Sequence, residues 1–269
     1  MTTNPVIEAM LRRKSIRNYT EEAPGDDAVG AVVRAGQQAP FAAQLGSVLV
    51  KRGPEGVPFG APLLFTICVD VHRLEAVMRR RGWPMVMNDL SILLFGIQDA
   101  SLMAENMVIA AESLGMGSCF LGAAPYRASA IREEYGLPER VLPLVQLVMG
   151  YPAEDPPPRP RYPMSFHLFE GEYPSFGEEE IDAAMREMDE GYLAQDYYKR
   201  GKFMIRLEGG REESFTYDDY SWTEHMGRKW GQWHPTPEKI LEELAACGFA
   251  PCGPLGTREE EGEGETRGS

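Results

Sequence analysis

The chain predicts an α+β fold, on three observations. Its strand-like apolar runs are few and scattered. Helix and strand do not alternate regularly, which argues against a doubly wound sheet. One helix, from about Met87 to Leu114, is apolar nearly all round and so belongs at the centre of a fold or in an interface.

The elements follow in order. Asn4 and Pro5 form an N-cap and N1 pair, and Val6, Ile7, Met10 and Leu11 then mark one helical face. A second helix starts with Asp26 or Asp27 as cap, turns Val29, Val32 and Val33 inward, and is closed by Pro40. "GSVLVKR" and "PLLFTICVD" read as strands, the second buried on both faces. "MRRRGWP" reads as a solvated turn after a short helix. The long apolar helix ends before Gly115, a natural C′ residue, and "GMGSCFLGA" follows as a cap leading into a loop. "SAIREEYGLP" is a short helix and "LPLVQLVMGYP" another buried strand. "AEDPPPRPRYP" cannot hold regular structure, because its prolines remove donors and restrict their predecessors. Residues 180–198 read as one helix and "RLEGGREESFTYDDYS" as a polar loop or hairpin. "TPEKILEELAACG" is a terminal helix with Thr236 as cap.

Composition excludes several function classes. The 269 residues carry a formal net charge of −14, so the overall field repels nucleic acid and anionic membrane, and any anion site must be built locally. Cys68, Cys119, Cys247 and Cys252 form no CxxC pair, and none has a histidine at metal-ligand spacing; they read as small hydrophobes of a reducing, cytoplasmic protein with no metal site. No secretory leader follows Met1, and no apolar run reaches the length of a membrane span. Neither GxGxxG nor GxxxxGK[ST] is present, so the common dinucleotide and P-loop sites are unsupported. His72, His167, His225 and His234 are scattered and none is assigned a catalytic role.

Against this acidic background "RRKSIRNY" places Arg12, Arg13, Lys14 and Arg17 within six residues. With "APFAAQ", "DASLMAENMVIAAESLGMGSCFLG", "LPLVQLVMGYPAEDPPPRPRYP" and a late "YYKRG", in that order, the chain resembles the FMN-dependent nitroreductase superfamily. It is most similar to the NADPH-dependent, oxygen-insensitive nitroreductases and flavin reductases with a C-terminal extension. The resemblance implies a nitroreductase-like fold: a central mixed or antiparallel sheet flanked by helices, with the long central helix at a homodimer interface. It implies an FMN-binding core over residues 1–165, an extension over 166–256 packing on the core or on the partner subunit, and a disordered acidic tail over 257–269.

The resemblance also assigns roles. Arg13, Lys14 and Ser15 would meet Arg159 and Arg161 on the FMN phosphate, while Arg12 stays solvated. Arg17 would lie near the pyrimidine edge of the flavin, where a fixed guanidinium favours two-electron reduction; it is the single catalytic assignment. Gln44 would reach the flavin, and Phe120, Leu121 and Gly122 would present backbone to its ring. Phe41 either walls the substrate site or is a plain core aromatic. Arg200 would hold the 2′-phosphate of NADPH. The activity implied is ping-pong hydride transfer from NADPH or NADH to a small-molecule electron acceptor such as a nitroaromatic, a quinone or a flavin. Two alternatives stay open: other flavin chemistry on the same fold (reductive dehalogenation, flavin breakdown or substrate dehydrogenation), and a flavin-binding module without turnover.

Overall fold

The computed structural model describes residues 3–232 and 236–251. The expected acidic tail at 257–269, His234 and Cys252 lie outside the described residues.

Four strands form one antiparallel sheet in the order β1-β2-β4-β3: β1 (Gly46–Arg52), β2 (Leu63–Asp70), β3 (Gly117–Leu121) and β4 (Val141–Gly150). One parallel bridge, Ser15 to Ser118, is the only mixed feature among the described residues. β2 is buried along its whole length because it sits inside the sheet with both faces covered. Phe65, Ile67 and Val69 face the main core. Leu64 points the other way, to Val57, Cys119 and Val148.

The main core lies between that first face and α4 (Asp89–Ser113), which contributes Ala100, Ala104, Met107, Val108 and Ala111. α4 matches a membrane span in length and mean hydropathy, but here it is the core helix. Its Gly96 rests against Val69, and a Cβ there would overlap the valine side chain. α2 (Asp26–Gln37) packs across α4 through Val29 and Val32. Its N-cap is Gly25 and not an aspartate: Asp26 and Asp27 fall in the first turn, where their charge suits the positive end of the helix dipole.

α1 (Pro5–Arg12) starts as its sequence dictates, with the Asn4 side chain accepting from the N–H groups of Val6 and Ile7. Its apolar side chains are not covered: Val6, Met10 and Leu11 stand more than half exposed, and Ala9 is the buried residue. α3 (His72–Arg80) precedes the solvated Arg81–Trp83 turn.

"GMGSCFLGA" departs from expectation. It holds β3, an edge strand, where a loop was expected. Gly115, at φ 75°, ends the helix turn abruptly enough for pairing with β4 to begin two residues later. α5 (Ala128–Tyr135) then ends at the left-handed Gly136.

Beyond the proline run, residues 180–198 are not one helix. α6 (Glu178–Leu193) and α7 (Tyr197–Gly201) are separated at Asp196, which adopts φ 48°. With α8 (Trp222–Gln232) they build a small separate core of Met188, Tyr192, Tyr198 and Tyr220. α9 (Pro237–Ala246) leads back, and Cys247 and Phe249 enter the main core. Arg140 secures that return. Its guanidinium bonds Glu75, Asp89 and the Gly248 carbonyl and lies 4.6 Å over the Phe249 ring. Cys68, Cys119 and Cys247 are free and buried.

Candidate active site

After α1 the chain turns extended at Arg13 and runs beside β3. The Ile16 N–H donates to the Ser118 carbonyl (2.9 Å), and the Ile16 side chain is buried over Gly117, where a Cβ would collide with it. In an extended stretch, burying Ile16 sends Ser15 and Arg17 to the opposite side. The segment is then stitched to the exit of β4. Ala153 N–H donates to Asn18 O, Thr20 N–H to Tyr151 O, and the Tyr19 hydroxyl folds back on Ile16 O (2.7 Å). Gly150 leaves room for Pro62 and the Tyr19 ring. Burial pushes the Tyr19 phenol well above its usual range, so it stays a neutral donor.

Arg13, Lys14 and Ser15 are thus brought together, half-buried, at the end of α1. Acidic groups attend them. Lys14 pairs with Asp155, the Arg17 N–H donates to Glu154, and Arg12, Arg13 and Lys14 all pull on Glu112. Glu112 is nonetheless raised above the ordinary carboxylate range, because its burial outweighs the three cations. The Ser118 hydroxyl, beside Ser15, is buried with no hydrogen-bond partner. Two residues further along each strand from that bridge lie Arg17 and Phe120, both exposed. Leu121 is half-buried and Gly122 exposed at the end of β3.

Arg17 opens onto a cleft of about 550 Å³ whose other walls come from the late helices: Tyr192, Tyr197, Tyr198, Phe203, Met204, Trp222, His225 and Met226. The Tyr220 hydroxyl lies 3.1 Å from His225 Nδ1, and burial lowers the His225 pKa below its usual value. These aromatic residues were not singled out from sequence, although their density between 192 and 226 was a visible signal.

Arg159 and Arg161 are engaged by their own segment and by Gln195. Arg159 donates to Gln195 Oε1 (2.7 Å) and lies 3.9 Å over the Tyr197 ring, and Arg161 bonds the carbonyls of Arg159 and Pro160. Arg200 likewise donates to the Gln195 carbonyl and is otherwise exposed. Arg159 and Arg200 fasten the proline-rich segment and α7 around Gln195.

Gln44 and Phe41 lie elsewhere, at a second cleft of about 220 Å³ that shares no lining residue with the first. Phe41 is 54% exposed, so it is not a core aromatic. Asp99 and Arg73 line this cleft and were missed from sequence. Asp99 had a signal: it is the only charged residue between Leu90 and Ala104.

The chain thus combines a central antiparallel sheet packed on one long helix with a cationic segment along its edge strand. The nitroreductase family model matches residues 49–151 of this chain. Among curated relatives, it is 38% identical to a Cr(VI) reductase of Pseudomonas sp. (strain G-1) over 48% of this chain, and it spans about half (53%) of that protein. It is 27% identical to an FMN reductase (NADPH) of Bacillus subtilis (strain 168), over 79% of this chain and 89% of that protein. Among solved structures, NfrA2 of B. megaterium superposes with a TM-score of 0.75 at 25% identity, covering 90% of this chain and 98% of that one.

Proposed function

We propose that this protein is an FMN-dependent oxidoreductase that takes hydride from NADPH or NADH and passes two electrons to a small-molecule acceptor: a nitroaromatic, a quinone or a flavin. The observation that carries the reading is the cationic segment Arg13–Arg17, pinned along β3 of a chain of net charge −14 and opening onto an aromatic cleft. Its donor set fits FMN. Two half-buried cations, the Ser15 hydroxyl and the orphaned Ser118 hydroxyl suit a phosphate dianion, and the exposed Phe120–Gly122 edge suits a ring. The relatives named as an NADPH-using FMN reductase and a Cr(VI) reductase support the same chemistry.

Bound FMN supplies the two-electron hydride chemistry. The chain supplies position and charge. Arg13, Lys14 and Ser15 hold the phosphate, with Lys14 exchanging its Asp155 partner for it. Arg17 places fixed positive charge where the ring gains electrons, and its backbone is held by Glu154. The aromatic walls of the cleft give planar donors and acceptors a stacking surface. Arg159 and Arg161 are proposed for the same phosphate, which requires Arg159 to leave Gln195. Arg200 is proposed for the nucleotide 2′-phosphate. Gln44 and Phe41, which line a cleft sharing no residue with that of Arg17, would meet the flavin held by a second copy. The protein is accordingly read as a cytoplasmic homodimer.

The test is anaerobic mixing of the FMN-reconstituted protein with NADPH or NADH. Either nucleotide should bleach the flavin absorbance, and nitrofurazone, a quinone or chromate should restore it. A flavin that neither nucleotide reduces would sink the proposal and favour a flavin-binding module.

A further inference from the structure

We infer that Asp99 and Arg73 are positioning residues that set the conformation of the loop carrying Phe41 and Gln44; the inference rests on the reading above, in which that loop faces the flavin. The loop has no secondary structure of its own, yet two charged side chains hold five of the main-chain groups between Ala42 and Gly46. Asp99, 5% exposed on α4, accepts from three backbone N–H groups: Ala42 (2.6 Å), Ala43 (3.1 Å) and Leu45 (2.9 Å). Arg73, on α3, donates to the carbonyls of Gln44 (3.2 Å) and Gly46 (2.5 Å). Arg73 is itself held by Asp70 (2.7 Å), whose backbone N–H donates to the Leu45 carbonyl (2.6 Å).

Between these two charges Gln44 adopts φ 53°, a left-handed conformation that non-glycine residues rarely take. Such a conformation persists only where its surroundings over-determine it, and it is found where a side chain must be aimed. Here the result is an exposed Gln44 amide and an exposed Phe41 ring over the second cleft. A buried carboxylate that bonds only backbone contributes nothing to that surface directly. Its effect is to hold the loop in the one shape that presents those two side chains. Asp99 sits in mid-α4, so the loop is referenced to the core helix of the fold.

The experiment compares Gln44→Ala, Asp99→Asn, Arg73→Ala and the double variant Asp99→Asn/Gln44→Ala. FMN affinity is read by fluorescence quenching, the bound flavin by visible circular dichroism, and folding by far-UV circular dichroism. Gln44→Ala and Asp99→Asn should each weaken FMN roughly tenfold and alter the visible dichroism in the same way. The double variant should be no weaker than the worse single one, because both act through one loop. Arg73→Ala should shift both readouts in the same direction by less. Should Asp99→Asn not fold, Arg73→Ala decides alone, since that side chain is 56% exposed. Gln44→Ala binding FMN as the parent does would overturn the reading that the loop faces flavin. Weakened Gln44→Ala with unaltered Asp99→Asn or Arg73→Ala would overturn the positioning role alone, as would losses that multiply in the double variant.

Discussion

Arg17 lies two residues beyond the Ser15–Ser118 bridge, its N–H held by Glu154 and its side chain at the mouth of the aromatic cleft. Neighbouring cations differ from it in what they touch. Lys14 is paired with Asp155, Arg13 leans towards Glu112, and Arg12 is solvated. If Arg17 contacts the reducible ring, removing it costs a charge-assisted hydrogen bond of about 1.5–3 kcal/mol in a partly desolvated site. Arg17→Ala should therefore weaken FMN by roughly ten- to a hundredfold and lower the two-electron potential of the bound flavin. Potentiometric titration checks this, and an unchanged potential would remove its catalytic role. Arg17 was singled out from sequence by resemblance alone; the alternation around Ile16, apolar between polar neighbours, fits the extended edge segment found here. Asp99 was harder to find, because a lone charge in an apolar helix does not announce that its partners are backbone groups of another element.

Elements place these residues through close approaches that only glycine allows. At Gly117 the β3 backbone accepts the Ile16 side chain directly on top of it. Gly117→Ala would force the Arg13–Arg17 segment off the sheet edge. Overpacking of this kind costs about 1–3 kcal/mol. We expect a lower thermal midpoint together with weaker FMN binding, the second effect separating it from an ordinary core defect. The cleft wall has a different weakness. Arg228, buried, holds Glu213 and Glu224 and the Ile205 carbonyl, so one guanidinium ties the polar loop to α8. Its hydrogen bonds hold the Glu213 carboxyl down at about 2, from an ordinary 4.5. A folded value below the unfolded one means that the linkage is fully present above about 4.5 and is lost as pH falls towards about 2. Burial lowers His225 from 6.5, which has the same sign: protonation below 6.5 favours the unfolded wall. Tryptophan fluorescence on acidification should report loosening of this unit, and Glu213→Gln should abolish the component below 4.5. Most elements were legible from caps and apolar periodicity, including α1, β1, β2, α4 and α5. β3 was not: its five residues include a glycine and a serine, and their strand character comes from pairing with β4. The break at Asp196 was hidden because residues on both sides of it have helical patterning.

At the scale of the whole molecule, the sequence carried the architecture but not the division of the site. Arg17 and Gln44 were both assigned to the flavin, and they line two clefts with no common lining residue. Nothing in local sequence encodes such a split, because it depends on how distant elements pack. The same structure leaves an apolar surface that the core does not use. Leu90, Leu94, Phe95, Ile97 and Leu102 on α4, and Val6, Met10 and Leu11 on α1, all stand exposed. A second copy seated there would take that apolar surface out of water, as the proposed homodimer requires. Leu94→Glu tests it. The side chain is 55% exposed, so within one chain the charge has water to face and should cost within about 0.5 kcal/mol. In a dimer interface the same charge would be stripped of water without a partner. Sedimentation velocity should show the parent as a dimer and Leu94→Glu as a folded monomer by far-UV circular dichroism. The monomer should bind FMN far more weakly while keeping the Arg13–Arg17 segment intact. A Leu94→Glu protein that stays dimeric, or a monomer that binds FMN as tightly as the parent, would show that the flavin site does not need the second chain through this face.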